Sequence, residues 1–253
     1  MPLLAVDLGP DLRAGFTRRT PGACVGSYAE ADLAQHVGDD PESVALNRAE
    51  LARALGAPVV FARQVHGVDV VRVTDRLVGS LDLLRTDVAV DGGADALITA
   101  DPALGIGVLV ADCVPVLLAD PGARVVATAH AGRVGLLAGV LDAVLDELVA
   151  AGADLSRTRA ALGPCAGPCC YEVPAAMREE CAGVLPAVAA TTTWGTPSLD
   201  LRAGCRAVLA ARGVGVRDVG GCTIEDEDSF SHRRAQRRGA ATGRFAGVIR
   251  LLP

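Results

Sequence analysis

From position 105 to 131 the chain reads GIGVLVADCVPVLLADPGARVVATAHA: three apolar, β-branched runs, parted only by Ala111-Asp112-Cys113 and by a turn carrying Asp120-Pro121. Short apolar runs bounded by turn residues are the mark of buried strands. With the run beginning at Asp95 and a second Asp-Pro break at 101–102, the segment from Asp95 to His130 supplies three or four of them. Strands this apolar need cover on both faces, which an α/β architecture provides. At 253 residues and 51% hydrophobic content the chain can bury one large core or two closely packed halves. No linker marks a boundary, so residues 1–253 are read as a single domain.

The flanking elements follow from local signals. Residues 3–8 and 13–17 pattern as short strands. A helix is expected over 41–55, since Pro41 suits a first helical turn, Asp39 or Asp40 can cap it and Gly56 stops it. Strands at 59–63 and 68–73 are expected to be joined by a turn at His66-Gly67, before a polar excursion through Asp91-Gly92-Gly93 that reads as a mobile rim. After Gly132, residues Leu136, Val140, Val144, Leu145 and Leu148 keep helical spacing. Further helices are expected near 174–184 and 199–212, with a closing strand at 245–251. The acidic run Glu225-Asp226-Glu227-Asp228 precedes Arg233-Arg234-Ala235-Gln236-Arg237-Arg238, and Arg237 and Arg238 read as part of a self-compensating, solvated loop. Gly105-Ile106-Gly107 lacks the third glycine of a dinucleotide fingerprint and reads as a close-packed strand entry.

Composition narrows the function. A net charge of -6 with only 3% aromatic residues gives neither the basic footprint nor the stacking platforms of a nucleic-acid surface. No apolar stretch reaches the length of a membrane span, and Asp7 and Asp11 sit beside the first apolar run in place of a basic leader. A cytoplasmic protein acting on small molecules, as a monomer or small homo-oligomer, is the expectation, and its eight cysteines are read as mostly reduced. All 24 basic residues are arginine. Without lysine there is no Schiff-base, pyridoxal-phosphate or P-loop chemistry. Any phosphate must be met by arginine forks, backbone amides or metal.

Three segments place reactive side chains at strand ends: Gln64-Val65-His66-Gly67, Ala111-Asp112-Cys113 and Ala129-His130-Ala131-Gly132. In α/β proteins that is where ligands bind. Two imidazoles and a thiolate can hold Zn2+ and leave its fourth position open, the pattern of a catalytic site. Cys113 lies 47 residues after His66 and 17 before His130, unlike the paired spacings of structural zinc sites, so spacing alone leaves the triad and an ordinary buried core as alternatives.

These segments closely resemble the YfiH, or laccase-domain, family of purine nucleoside phosphorylases, formerly called polyphenol oxidases. So do Gly38-Asp39-Asp40-Pro41, Asn47-Arg48, Gly163-Pro164, Tyr171-Glu172-Val173, Cys222-Thr223, Phe230-Ser231-His232-Arg233-Arg234 and Thr242-Gly243-Arg244, in order along nearly the whole chain. The resemblance implies an α/β fold with a mixed β-sheet flanked by helices, cysteine-hydrolase-like in kind. It implies Zn2+ held by His66, Cys113 and His130, with Cu2+ as the other candidate metal. It also implies phosphorolysis of adenosine, inosine, guanosine and S-methyl-5'-thioadenosine, and deamination of adenosine. Two departures stand out. The family continues Ala-His-Ala-Gly with Trp-Arg-Gly, where this chain has Arg133-Val134-Gly135, and its Ser-Tyr-Arg-Arg is here Ser231-His232-Arg233-Arg234.

Within that reading the candidate catalytic residues are Asp112, Cys113, Arg48 and Gln64. Arg63, Arg133 and Arg233 are candidates for phosphate, with Arg48 as a further fork. Competing chemistries are a copper oxidase, for which His36 and His232 are too few extra histidines to build a multicopper cluster. A thiol amidase acting on a peptidoglycan precursor, with Cys113 as nucleophile and His130 as base, is another. A metal-binding module without turnover is the last. The cytidine-deaminase signature is absent: no His-x-Glu occurs, and Pro164-Cys165 is followed by Cys169 only after three residues. The cysteines at 165, 169 and 170 read as reduced thiols, because a metal there needs a fourth ligand that the loop does not supply.

Overall fold

The computed structural model describes residues 1–79, 81–88 and 92–253, so Asp91 of the expected polar excursion lies outside the described residues. The strands are β1 (Leu3–Ala5), β2 (Leu12–Thr17), β3 (Val59–Val60), β4 (Val70–Arg72), β5 (Ala96–Thr99), β6 (Gly105–Val110), β7 (Val114–Asp120), β8 (Val125–Ala131), β9 (Arg159–Leu162), β10 (Ala189–Thr191), β11 (Pro197–Leu199), β12 (Gly215–Asp218) and β13 (Phe245–Leu251). The helices are α1 (Pro41–Leu55), α2 (Asp75–Val78), α3 (Arg133–Ala138), α4 (Val140–Ala150), α5 (Ala175–Val184), α6 (Leu201–Ala211) and α7 (His232–Arg238).

The expected mixed α/β architecture is present, and its strands form two main sheets, each mixed. One has the order β1-β2-β13-β6-β3 and the other β12-β9-β7-β8-β5-β4; β10 and β11 make a separate two-stranded ribbon. Period-2 alternation sorts the side chains into layers. Phe16, Ile106, Ile249 and Leu251 of the first sheet meet Leu97, Leu117, Val126 and Ala161 of the second in one buried cluster. On the outer side of the first sheet, Leu51 and Leu55 of α1 cover Val59, Leu109, Ala246 and Val248. On the outer side of the second, α4 and α6 cover Val114, Val116, Leu118 and Ala129 with Val144, Leu145, Leu148, Cys205 and Leu209. Four layers therefore bury both faces of the central strands, which is why 105–131 reads as almost unbroken apolar sequence.

Local signals set α1 as expected. Asp40 caps it, accepting from the Ser43 amide at 3.0 Å, Pro41 opens it, and Gly56 ends it at φ 83°. A Cβ at Gly105 would lie 2.4 Å from Leu55 Cδ2, and one at Gly107 2.3 Å from Phe61 Cε1, so these two glycines let α1 and its following strand close on β6. Three expectations are corrected. β3 and β4 are not a hairpin: they lie in different sheets, and His66-Gly67 sits on the segment that crosses between them. The helical pattern after Gly132 is two helices, broken at Gly139 with φ 100°. Positions 232–238 form a helix, α7, capped by the Ser231 side chain, with Arg238 paired to Glu227.

Asp32 is fully buried. Its Oδ1 accepts from the amides of Ala34 and Arg244, while Oδ2 has no partner among the described residues. Burial pushes the carboxyl up to about 6 from the ordinary 3.8. Between those values the folded chain holds a proton that the unfolded chain releases, so stability falls as pH rises through this window and levels above it. The expected loss is roughly 2–3 kcal/mol. Urea unfolding of Asp32→Asn from pH 4 to 7 should lack that decline, whereas a variant profile parallel to wild type would refute the assignment.

Candidate metal centre

Strand register builds the site. In the β7–β8 pair Val114 faces Ala131, which sets Cys113, one residue before β7, beside the end of β8 that carries His130. In the β5–β8 pair Ala96 faces Ala129, so Asp95 lies across from His130, whose amide donates to the Asp95 carbonyl at 2.7 Å. His66 and Asp112 arrive on segments that cross between the sheets, one after β3 and one after β6. Both have left-handed backbone, at φ 61° and 94°. Non-glycine residues held there store strain, which concentrates at functional sites.

One donor atom from each of His66, Cys113 and His130 lies within 4.8 Å of the others. The imidazole rings meet edge to face at 4.6 Å, and Cys113 Sγ is 3.8 Å from His66 Nε2. Gly132 makes this approach feasible, because a Cβ there would be 2.8 Å from His66 Cδ2 and 3.0 Å from Cys113 Sγ. Asp95 holds the group together. Its Oδ2 accepts from the amides of Val65 and Gly67, and its Oδ1 from the His66 amide and, at 2.7 Å, from His130 Nδ1. That bond fixes the His130 tautomer and leaves Nε2 for Cys113 or a metal, the arrangement that orients a ligating histidine. A carboxylate–imidazole–thiol set with space for one more ligand is chemically suited to a borderline divalent metal.

The electrostatics agree with the geometry. Burial opposes charge on Cys113, but the adjacent His130 and hydrogen bonds from both histidines draw its thiol down to about 6. Burial likewise opposes charge on His130, yet Cys113 and Asp95 raise it to about 9. Burial also works against the Asp95 carboxylate, and the hydrogen bonds from His130, Gly67 and Val65 hold it below the usual range.

A cleft of about 440 Å³ opens over these groups, and Gln64, Asp112, Arg133 and Arg233 line it as well. Asp112 Oδ1 accepts from Thr223 Oγ1 and Oδ2 from the Arg233 amide, both at 2.6 Å. The Arg233 guanidinium lies over the Tyr171 ring and donates to the Glu172 carbonyl. Gln64 closes a two-way hydrogen bond with the backbone of Leu109, so its amide ties the crossing segment to β6. Arg133 and Val134, standing where the family pattern has Trp and Arg, both line the cleft. Arg48 and Arg63 are not brought to it. Arg48 is buried against the Phe61 ring, paired with Asp87 at 2.7 Å and donating to the Leu33 carbonyl. Arg63 is exposed.

The chain resembles proteins of known name along most of its length. The sequence profile of the family described as multi-copper polyphenol oxidoreductase laccase matches residues 13–252. The chain belongs to the laccase-like YfiH family. It is 46% identical over 238 residues to the purine nucleoside phosphorylase ORF3 of Streptomyces griseus, covering 92% of each chain. It is 34% identical over 235 residues, 88% of each, to the adenosine deaminase RL5 of an unknown prokaryotic organism. The crystal structure of the Bacillus licheniformis hypothetical protein YfiH superposes with a TM-score of 0.81 at 29% identity, over 95% of this chain and 92% of that one.

Asp95, His36, Tyr171, Gln236 and Arg244 stand at the site without being among the candidates drawn from the sequence. The last four line the cleft, where His232 joins them, so all four histidines of the chain surround one cavity. Burial, followed by the charge of Arg244, lowers both His36 and His232 from the ordinary histidine value. The one sequence signal for Asp95 was an acid set directly against the apolar run of β5. Among the described residues no helix is long and apolar enough to cross a membrane.

Proposed function

We propose that this protein is a zinc-dependent purine nucleoside phosphorylase that also deaminates adenosine. One observation carries the reading: two imidazoles and a thiol converge at the floor of a cleft rimmed by a fixed carboxylate and by arginines. His66, Cys113 and His130 would hold the metal. Bound there, Zn2+ would supply Lewis acidity and activation of water, the chemistry that deamination needs.

The chain's own groups divide the remaining work. In phosphorolysis a phosphate oxygen bonds to the anomeric carbon as the bond to the purine nitrogen breaks, and the proton that the phosphate gives up passes to the purine. Asp112, held by Thr223 and the Arg233 amide, is a carboxyl of fixed direction at the cleft wall and is assigned to that proton. Arg133 and Arg233 are assigned to the phosphate, where guanidinium forks match its oxygens. Gln64 is a positioning residue, and Arg48 and Arg63 take no part. The tested substrates would be adenosine, inosine, guanosine and S-methyl-5'-thioadenosine.

A second reading has its own observation. Asp95, His130 and Cys113 form a hydrogen-bonded carboxylate, imidazole and thiol with the proton order of a cysteine hydrolase. Dependence on metal separates the two. The zinc-loaded protein, incubated with adenosine with and without phosphate, is expected to give adenine and ribose-1-phosphate, or inosine, by chromatography. The products should vanish in Cys113→Ala and after chelation. Unchanged adenosine in every arm would sink the proposal, and hydrolysis of an amide substrate by chelated protein would favour the thiol reading.

A further inference from the structure

The cleft uses one of eight cysteines, and three of the others meet elsewhere. Cys169 and Cys170 stand on the loop after β9, while Cys222 and Glu225 stand on the turn after β12. One donor atom from each of the four lies within 4.8 Å of the rest. Cys169 Sγ is 3.0 Å from Cys170 Sγ and 3.4 Å from Glu225 Oε2. Four donors at the corners of a zinc tetrahedron, with bonds of about 2.3 Å, stand about 3.7 Å apart, so the group needs only small adjustment. Cys165 is not part of the group, and the loop supplies two of its four donors; the other two, Cys222 and Glu225, come from a segment more than fifty residues away.

The two segments are built to hold this contact. Cys165 and Cys222 form a β-bridge, with the Thr223 amide donating to the Cys165 carbonyl. The Gly167 amide donates to Cys222 Sγ at 3.2 Å. A Cβ on Gly167 would come within 3.0 Å of Cys222 Cβ and 3.2 Å of Cys169 Sγ, so the glycine leaves room for the sulfurs. The nearby Arg237 donates to the Cys170 carbonyl rather than to a sulfur, and among the described residues no basic side chain bonds to the cluster's sulfurs.

We propose that Cys169, Cys170, Cys222 and Glu225 form a second divalent-metal site, thiolate-rich and of zinc type, that clips the loop to the turn. Four protein ligands close the coordination shell, so the site is structural, whereas the three in the cleft leave a position open. Metal binding releases the thiol protons to solvent and adds its free energy to folding. Its reach extends to the cleft, because the clipped segments carry Tyr171, which lines it, and Thr223, which donates to Asp112.

The test counts metal in the full chain, loaded with Zn2+ and freed of excess. Wild type is expected to bind two equivalents, and Cys113→Ala and Cys222→Ser one each. Co2+ substitution of Cys113→Ala gives a reading that does not depend on the stability of Cys222→Ser. The thiolate-to-cobalt charge-transfer band should persist there at about three times the intensity that a single sulfur gives, and Glu225→Gln should weaken Co2+ binding without removing the band. One equivalent in wild type, lost entirely in Cys113→Ala, would overturn the proposal. So would a Cys169–Cys170 disulfide found by mass spectrometry in protein purified without oxygen.

Discussion

Asp95→Asn is expected to weaken Zn2+ binding by about 10–100-fold, the usual cost of losing the carboxylate behind a ligating histidine. It should also destabilise the metal-free fold by roughly 2–4 kcal/mol. Both effects follow from four donors meeting one carboxylate. Oδ1 takes the His66 amide and His130 Nδ1, and Oδ2 takes the amides of Val65 and Gly67. An asparagine presents one oxygen and one NH2 group, so whichever way it turns, two donors face a donor. The side chain is fully buried, and water cannot take over the lost bonds. His130 would lose the partner that fixes its tautomer, and the strained His66 turn would lose the anchor that holds its left-handed backbone. Competition with a chromophoric chelator measures the affinity, and urea unfolding of the chelated protein measures the fold. An Asn variant with wild-type affinity would show that Asp95 does not organise the site.

The same residue shows where sequence reading runs out. α1 was legible because its signals are local: Asp40, Pro41 and Gly56 act on backbone groups within a turn of themselves. The strands between 96 and 131 were legible because burial on both faces leaves little sequence but apolar residues. The candidate ligands were legible as polar residues at the ends of those runs and through their motifs. Pairing was not. Residues 59–63 and 68–73 carry the same alternation whether they form a hairpin or, as here, belong to opposite sheets, and only the second arrangement sends His66 across the gap. Arg48 could be recognised by its motif, yet nothing local tells that its guanidinium turns to Asp87 and away from the cleft. Asp95 beside an apolar strand resembles any loop acid until β5–β8 register sets it opposite His130. The cysteine cluster is hidden for the same reason, since Cys222 and Glu225 join it only through the bridge to Cys165.

Gly132→Ala should separate the metal centre from the fold, with an effect on function as large as that of Asp95→Asn and little on stability. The added Cβ would stand 2.8 Å from His66 Cδ2 and 3.0 Å from Cys113 Sγ. One of these must move, and the His66 side chain can, because it is exposed while Cys113 directly precedes β7, whose Val114 pairs with Ala131. The Gly132 backbone, at φ -76° and ψ 166°, suits alanine, so no strain arises there. Unfolding in urea should stay within about 1 kcal/mol of wild type, because the exposed His66 ring can give way to the added methyl. Displacing one of three donors by an ångström or so should cost turnover about a hundredfold. Gly135→Ala gives the contrast. Its Cβ would press to 2.8 Å against the Gly67 carbonyl, a backbone atom fixed from the other side by Asp95, so that variant should lose stability together with metal. Turnover and metal content of Gly132→Ala at wild-type levels would mean that His66 does not share a metal with Cys113, and the centre would have to be rebuilt on fewer donors.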